Sequence, residues 1–131
     1  MLMPWFAFLF VGAYDFGFYC YGLIATQNAA RLAALYCSGS SSLATNCSTS
    51  AEACNYALYS LEMMPNVGPS MVSTGSCVSP VVLTSSVITT VDSTSATKVT
   101  VAYTTPNLIP IPGILTGGLT ISRTVVMKVV T

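Results

Sequence analysis

The chain has no histidine and very little charge. It carries four basic and four acidic side chains among 131 residues, so its net charge is zero. Charged residues make up 6% of the sequence, against about 25% in ordinary soluble domains. Without a basic patch, the electrostatic attraction to phosphate that nucleic-acid binding requires is missing. We therefore expect no nucleic-acid partner.

Catalytic motifs are also absent. The sequence contains no G-x-S-x-G motif, no P-loop and no dinucleotide-binding glycine pattern. Glu52 and Glu62 lie ten positions apart on a predicted short helix and do not form an acid–base pair. The cysteine spacings contain no C-x-x-C motif, which argues against a zinc site. We expect neither an enzyme nor a cofactor or metal.

A long apolar segment is what the chain has in abundance. Between Met1 and Ala25 the one charged side chain is Asp15. As a helix these residues would span roughly 37 Å, enough to cross a bilayer core of about 30 Å. Helix-forming residues continue until the Cys37–Ser40 segment, which predicts one helix of about 34 to 36 residues. A chain of this size cannot bury such a rod, so one end must contact lipid or copies of the chain.

The prediction therefore divides the chain in two. Residues 1–37 form a transmembrane or assembly helix, and residues 38–131 form an extracytoplasmic head. The head is rich in serine and threonine, a polar but uncharged surface that is common in proteins exposed outside cells.

Small residues recur along the predicted helix. Each glycine costs about 1 kcal/mol of helix propensity in water, which close helix approach would offset. The glycines recur every five residues and the alanines every four: Gly12, Gly17, Gly22, Ala25, Ala29 and Ala33. The pattern indicates helix packing between chains. A plain membrane anchor with incidental small residues is the alternative.

Asp15 is the most informative residue of this helix. A carboxylate within an apolar helix costs several kcal/mol in lipid unless it is paired or protonated. Arg31, the one basic residue of the helix, is about 24 Å away along the axis, so the two cannot meet within one chain. We expect an interchain partner for Asp15, with Arg31 of an axially offset neighbour as one candidate. A neighbour's amino terminus or hydroxyl, or a protonated carboxyl, is the alternative.

The chain has five cysteines, whose positions indicate whether it lies in an oxidising or a reducing compartment. Cys20 lies within the apolar helix, where we expect a buried free thiol. The other four lie in the Ser/Thr-rich part and favour an oxidising compartment with two disulfides. Of three connectivities, the one that closes the shortest loops pairs Cys37 with Cys47 and Cys54 with Cys77.

The first part of the head combines a loop with a short helix. Residues 38–50 are predicted to be a loop, in which Asn46 fits the N-glycosylation sequon. Ser50 is a candidate N-cap for a second helix over about residues 51–63. Prolines and a glycine downstream are expected to end this helix.

From Cys77 onward the hydrophobic period becomes two, which predicts antiparallel strands. The first strand is expected to place Val81, Leu83, Val87 and Val91 on one face. After a turn at residues 92–95, the second strand places Val99, Val101 and Tyr103 on one face, opposite Lys98, Thr100 and Ala102.

A third strand over about residues 117–130 carries a mostly apolar face made of Leu119, Ile121, Val125, Met127 and Val129. Arg123 falls on that same face and needs a bulge, a carboxylate or an edge position. The fold class is therefore α+β, with a three- to four-stranded antiparallel sheet.

Between the second and third strands, residues 106–113 (PNLIPIPG) are apolar but contain three prolines, so they form neither a helix nor a central strand. Leu108, Ile109 and Ile111 form an apolar patch on this loop. The patch either folds back on the sheet or docks on a partner.

Two segments carry a resemblance to a known family. Residues 4–17 (PWFAFLFVGAYDFG) followed by residues 27–34 (QNAARLAA) resemble the TadE-like family of pilin-related proteins. The tail is also similar, from Tyr103 through the proline-rich loop to Gly118-Leu119-Thr120 and the segment 126–129. The likeness covers both ends of the chain, and the middle differs.

The resemblance implies a pilin-like subunit of the tight-adherence, type IV pilus-like machinery. Such proteins lose a leader to a prepilin peptidase, wait in the inner membrane and assemble through the N-terminal helix. Two features differ from the family pattern. The basic leader and early Glu upstream of the proline are not seen, and Asp15 stands where Glu is common. A chain already processed and a chain trimmed at its start both fit the first difference.

Together these observations predict a homo-oligomeric structural subunit of an extracellular, cell-surface filament, which reaches the outside through the inner membrane. A bitopic inner-membrane minor pilin or assembly factor is the first alternative. A surface adhesin that uses the Leu108–Ile111 loop is the second.

Overall fold

The structure, a computed structural model, describes residues 2–106 and 118–130. Its first element is the helix α1, Met3–Cys37, with 35 residues. Pro4 lies in the first turn, where its missing N–H does not interrupt the hydrogen-bond ladder. At the other end the Ser38 N–H donates to the Ala34 carbonyl, and the chain leaves the helix at Gly39. The predicted long helix is confirmed.

The loop predicted for residues 38–50 is wrong. Most of this segment is helical, with α2 at Ser41–Asn46 and a 3-10 turn at Cys47–Thr49. The Ser40 hydroxyl accepts a hydrogen bond from the Leu43 N–H at 3.2 Å and so caps the helix. Ala44 is buried against the head. A serine-rich segment therefore becomes helical because one serine caps it and one apolar side chain packs.

The second predicted helix is confirmed, with slightly different bounds. It is α3, Ala51–Leu61, and Ser50 is its N-cap, since the Ala53 N–H donates to the Ser50 hydroxyl. The downstream prolines were expected to end this helix, but Pro69 also begins another helix, α4, Pro69–Thr74. Helix α4 ends at Gly75, which has φ +60° and lies where an added Cβ would be 2.9 Å from the Ala51 carbonyl oxygen.

Three antiparallel strands complete the head. They are β1 Val81–Thr89, β2 Ser95–Thr104 and β3 Thr120–Lys128, in the order β1-β2-β3. The β1–β2 register places Val81 opposite Tyr103, and the β2–β3 register places Val99 opposite Val125. The protein therefore has a long N-terminal apolar helix followed by a small α+β head, as the sequence predicts.

The predicted strand faces are confirmed in the centre and fail at the ends. Val99, Val101 and Tyr103 of β2 are buried as expected. In β1, Val81 and Leu83 are buried, but Val87 is about half exposed and Val91 lies beyond the strand in solvent. The reason is coverage: α1 packs on β2 and β3, whereas β1 meets the much shorter α2 and the 3-10 turn.

Strand β3 shows the same end effect. Ile121 and Val129 are buried, and Val125 and Met127 are half buried. Leu119, expected on the same face, precedes the strand and is exposed.

The core lies where α1, α3 and the sheet meet. The fully buried side chains that α1 contributes to it are small, which allows α3 and the sheet to approach the helix backbone closely. Large side chains come from the other elements, including Leu58 and Leu61 of α3. The fully buried alanines of α1 are Ala29, Ala30, Ala33 and Ala34.

A polar contact fixes the end of the sheet to the connection between α3 and α4. The Tyr103 hydroxyl donates to Asn66 Oδ1 at 2.5 Å, and Asn66 Nδ2 donates to the Thr104 carbonyl at 2.8 Å. Burial disfavours the charged phenolate and raises the pKa of Tyr103 to about 12.

Two disulfides join the elements of the head. Cys37 bonds to Cys47 and Cys54 bonds to Cys77, with Cα–Cα distances of 5.5 and 5.6 Å. The predicted connectivity is confirmed. Because Cys37 is the last residue of α1, the first bond fastens the long helix covalently to the head. Cys20 is free, as expected, but only half buried.

Candidate functional site

In the N-terminal half of α1, most side chains between Leu2 and Phe16 are exposed. Met3 is 84% exposed and Phe10 is 77% exposed. Helix α1 is long and apolar enough to cross a membrane, and only a small share of its most apolar window is buried within the chain. An N-terminal helix of this kind fits a membrane anchor or a signal, and the disulfides fit an extracellular protein. The large exposed side chains of this half are Leu2, Met3, Trp5, Phe6, Phe8, Leu9, Phe10, Tyr14 and Phe16.

Asp15 interrupts this exposed surface. Its side chain is only 8% exposed, and neither carboxylate oxygen has a hydrogen-bond partner among the described residues. It lies two helical turns before Gly22, on the face of α1 that continues into the core. A buried carboxylate without partners costs several kcal/mol when ionised, which singles out this position.

The series of small residues divides into two groups. An added Cβ at Gly12 or Gly17 would meet no atom of the described residues within 4 Å, so these residues leave the backbone there uncovered. At Gly22 an added Cβ would lie 3.1 Å from Ile121 Cδ1. Gly22 and the alanines after it pack inside the chain, against its own head: Ala25, Ala29 and Ala33. Gly12 and Gly17 are the members of the series that do not pack against the described part of the head.

Arg31 and Arg123 line one shallow, open cleft between α1 and β3. Its volume is about 340 Å³, and its described lining residues are Leu23, Ile24, Gln27, Asn28, Arg31 and Arg123. Arg123 faces α1, and of the three predicted solutions the structure shows the edge position. Among the described strands β3 lies at an edge of the sheet, and its pairing with β2 runs without a bulge.

Asp15 and Arg31 are not brought together, because both lie on one unbroken helix. Arg31 instead shares a helical face with Gln27 and Leu23 at four-residue spacing, a signal that the sequence contains. The sequence alone could not show that Arg123 lies beside them, because this depends on how the sheet packs against α1.

The remaining candidate residues are placed as follows. Asn46 is exposed at the end of α2, and its Nδ2 donates to the Ser42 carbonyl at 3.2 Å. Leu108, Ile109 and Ile111 lie outside the described residues. Glu52 accepts a hydrogen bond from the Tyr36 hydroxyl, a contact that spacing alone did not reveal.

A metal site finds no support in the described part of the chain. Within residues 2–106 and 118–130, no group of three or more His, Cys, Asp or Glu side chains could hold a metal ion.

The chain matches no protein-family model, no curated protein and no solved structure. The likeness to TadE-like proteins therefore stays a prediction that rests on residues 4–17, residues 27–34 and the tail.

Proposed function

We propose that this protein is a structural, non-catalytic, pilin-like subunit that polymerises through α1 into an extracellular filament, after a period in the inner membrane. The observation that carries the proposal is the N-terminal half of α1. It exposes a continuous aromatic and aliphatic surface that contains a buried carboxylate without described partners. Such a surface needs a nonaqueous surrounding, and identical helices provide one after the chain has left the membrane.

Polymer packing would use the features that the head leaves free. Gly12 and Gly17 have open backbone, which allows a neighbouring helix to approach closely. The head packs on the C-terminal half of α1 and would surround a bundle made from the N-terminal halves. Its two disulfides suit an environment outside the cell.

Asp15 would be neutralised by a neighbouring chain in this polymer. Arg31 of a subunit offset by about 24 Å along the axis is one candidate, and the amino terminus of a neighbour is another. Either contact would favour one axial offset between subunits, because the carboxylate is costly at every other offset.

The partners expected from the resemblance are a prepilin peptidase and a pilus assembly machinery. Both would act while α1 lies in the inner membrane.

Shearing of cells tests the proposal. Wild-type protein is expected in the sheared surface fraction as filaments visible by electron microscopy. Asp15→Leu should lower the amount of sheared filament about tenfold or more, because the interchain partner loses its carboxylate. Glu62→Leu, which removes an exposed carboxylate from the head, is the matched control and should leave the amount unchanged.

The second candidate function is a bitopic inner-membrane minor pilin or assembly factor. The observation that favours it is again the apolar half of α1, because lipid alone can cover that surface. Wild-type protein that stays entirely in the membrane fraction after shearing, with no filaments on cells, would exclude the filament subunit and support this alternative.

A further inference from the structure

We propose that the cleft between α1 and β3 binds the phosphate of an anionic phospholipid headgroup while the chain is in the membrane. The proposal rests on the membrane-inserted state in the proposed function, and does not need polymerisation. The proposal is based on the observation that Arg31 and Arg123 line one cleft together with the side-chain amides of Gln27 and Asn28.

Charge is the first argument. The whole chain has four basic residues, and two of them line this cleft. None of the six described lining residues is acidic. Glu52 accepts a hydrogen bond from Tyr36, and Asp15 is about 24 Å from Arg31 along the helix. Among the described residues, the cleft therefore presents two cationic side chains with no carboxylate in its lining, which is complementary to an anion.

The chemistry of the donors favours a phosphate. Arginine presents a planar fork of N–H groups that matches two phosphate oxygens, and such charge-assisted pairs are stronger than neutral hydrogen bonds. The side-chain amides of Gln27 and Asn28 add further N–H donors at the same wall. A volume of about 340 Å³ lies at the lower end of the roughly 300 to 1,000 Å³ typical of small-molecule sites.

Position along α1 favours a lipid as the source of that phosphate. A bilayer core of about 30 Å takes up about 20 residues of helix, so a core entered at Met3 is left near Leu23. Leu23 and Ile24 then lie at the boundary with the headgroups, and Arg31 lies about 12 Å beyond it. Side chains on a helix lean toward its N-terminus, so Arg31 reaches back toward the membrane surface.

A carboxylate from a second copy is the competing occupant, and Asp15 of a neighbour could reach Arg31 only after the subunits have assembled. Ile24 at the membrane end of the cleft is exposed and apolar, which suits the upper carbons of an acyl chain.

Native mass spectrometry of the full chain in detergent micelles tests the proposal. The probes are dioleoyl phosphatidylglycerol and dioleoyl phosphatidylcholine, titrated separately at neutral pH. We expect one phosphatidylglycerol per chain, bound at least about tenfold more tightly than phosphatidylcholine. The double variant Arg31→Gln, Arg123→Gln should lose this preference.

Lys98→Gln, Lys128→Gln is the matched control, since it removes the same charge from exposed positions outside the cleft. It should keep the preference. Arg31→Lys retains the positive charge but lacks the planar fork of N–H donors, so it should keep part of the preference for phosphatidylglycerol. Circular dichroism melts verify that each variant is folded.

Equal binding of both lipids by the wild type would overturn the proposal, as would equal loss in both double variants. Displacement of phosphatidylglycerol by millimolar inorganic phosphate would overturn the lipid assignment in favour of a free anion. A chain–chain complex that excludes lipid and requires Arg31 would favour the carboxylate. Because the assay uses unpolymerised protein, its outcome is independent of whether sheared cells yield filaments.

Discussion

The two halves of α1 belong to one uninterrupted helix but have opposite surroundings. The C-terminal half contributes a face of fully buried alanines to the core, whereas the N-terminal half exposes phenylalanine, tryptophan and methionine. Residue size follows the surroundings. Where the chain covers the helix itself, small side chains allow α3 and the sheet to approach. Where it does not, large apolar side chains are left for lipid or for another chain.

The comparison teaches that apolar character alone does not locate the core of this protein. The most exposed large side chains include Met3 and Phe10, while Thr26 is fully buried and donates its hydroxyl to the Gly22 carbonyl at 2.7 Å. What distinguishes the covered half is the size of its side chains. Four predictions test this contrast.

Removing a disulfide should loosen the covered half most. Cys54→Ser, Cys77→Ser opens the longer loop, with a sequence separation of 23, and is expected to lower the free energy of unfolding by roughly 3 kcal/mol. Urea unfolding of the head, followed by circular dichroism in detergent, measures the effect. Cys20→Ser serves as the control, since this thiol is free and should matter little. An equal loss in both variants would contradict the assignment.

Enlarging a small residue should distinguish the halves directly. Ala29→Leu places extra methyl groups where the side chain is fully buried, and should destabilise the head by about 2 kcal/mol. Ala7→Leu makes the same change in the exposed half and should leave head stability unaltered. Urea midpoints of the two variants provide the measurement, and a similar loss for both would break the comparison.

Alkaline pH should weaken the head through Tyr103. Its pKa is raised from 10.0 to about 12 in the folded chain by burial. The neutral phenol is therefore favoured by folding, so this contribution is complete below pH 10 and is lost as the pH rises toward 12. The slope attributable to Tyr103 is at most about 1.4 kcal/mol per pH unit.

Urea unfolding between pH 9 and pH 12 measures this dependence. Tyr103→Phe should remove part of the slope, and should cost about 1 kcal/mol at neutral pH because Asn66 Oδ1 loses its donor. If Tyr103→Phe leaves the pH dependence of the free energy of unfolding unchanged, the loss of stability at alkaline pH comes from other tyrosines.

Glycine-to-alanine changes should give the smallest contrast. Gly17→Ala adds a methyl group in open space and should gain up to about 1 kcal/mol of helix stability. Gly22→Ala places it 3.1 Å from Ile121 Cδ1, which must shift, so the gain should be smaller or absent. Thermal melts followed at 222 nm compare them, and a larger gain at Gly22 would contradict the packing described.

Much of the fold could be predicted because its signals are local. The apolar run fixes α1, Ser50 caps α3, and period-two alternation identifies the sheet. The disulfide pairing also followed, since it closes the shortest loops. By contrast, α2 lay in a serine-rich segment whose composition masks a helix that Ser40 caps.

The site was less predictable because it depends on how much of the sheet and helix is covered. Val87 shares the alternation of Val81 but lies beyond the covering helices, so it stays exposed. The spacing of Ala29 would also suit packing between chains. Only the position of the head shows that Ala29 is buried within its own chain. Arg123 was recognised as anomalous, yet its cleft with Arg31 required the packing of β3 on α1.

The bond between Cys37 and Cys47 has a topological consequence. The covalent loop begins at the last residue of the long helix. An oxidised head therefore cannot be extended into a single strand and threaded back through a translocation channel. If α1 spans a membrane as proposed, oxidation of this pair on the far side would therefore oppose the return of the head.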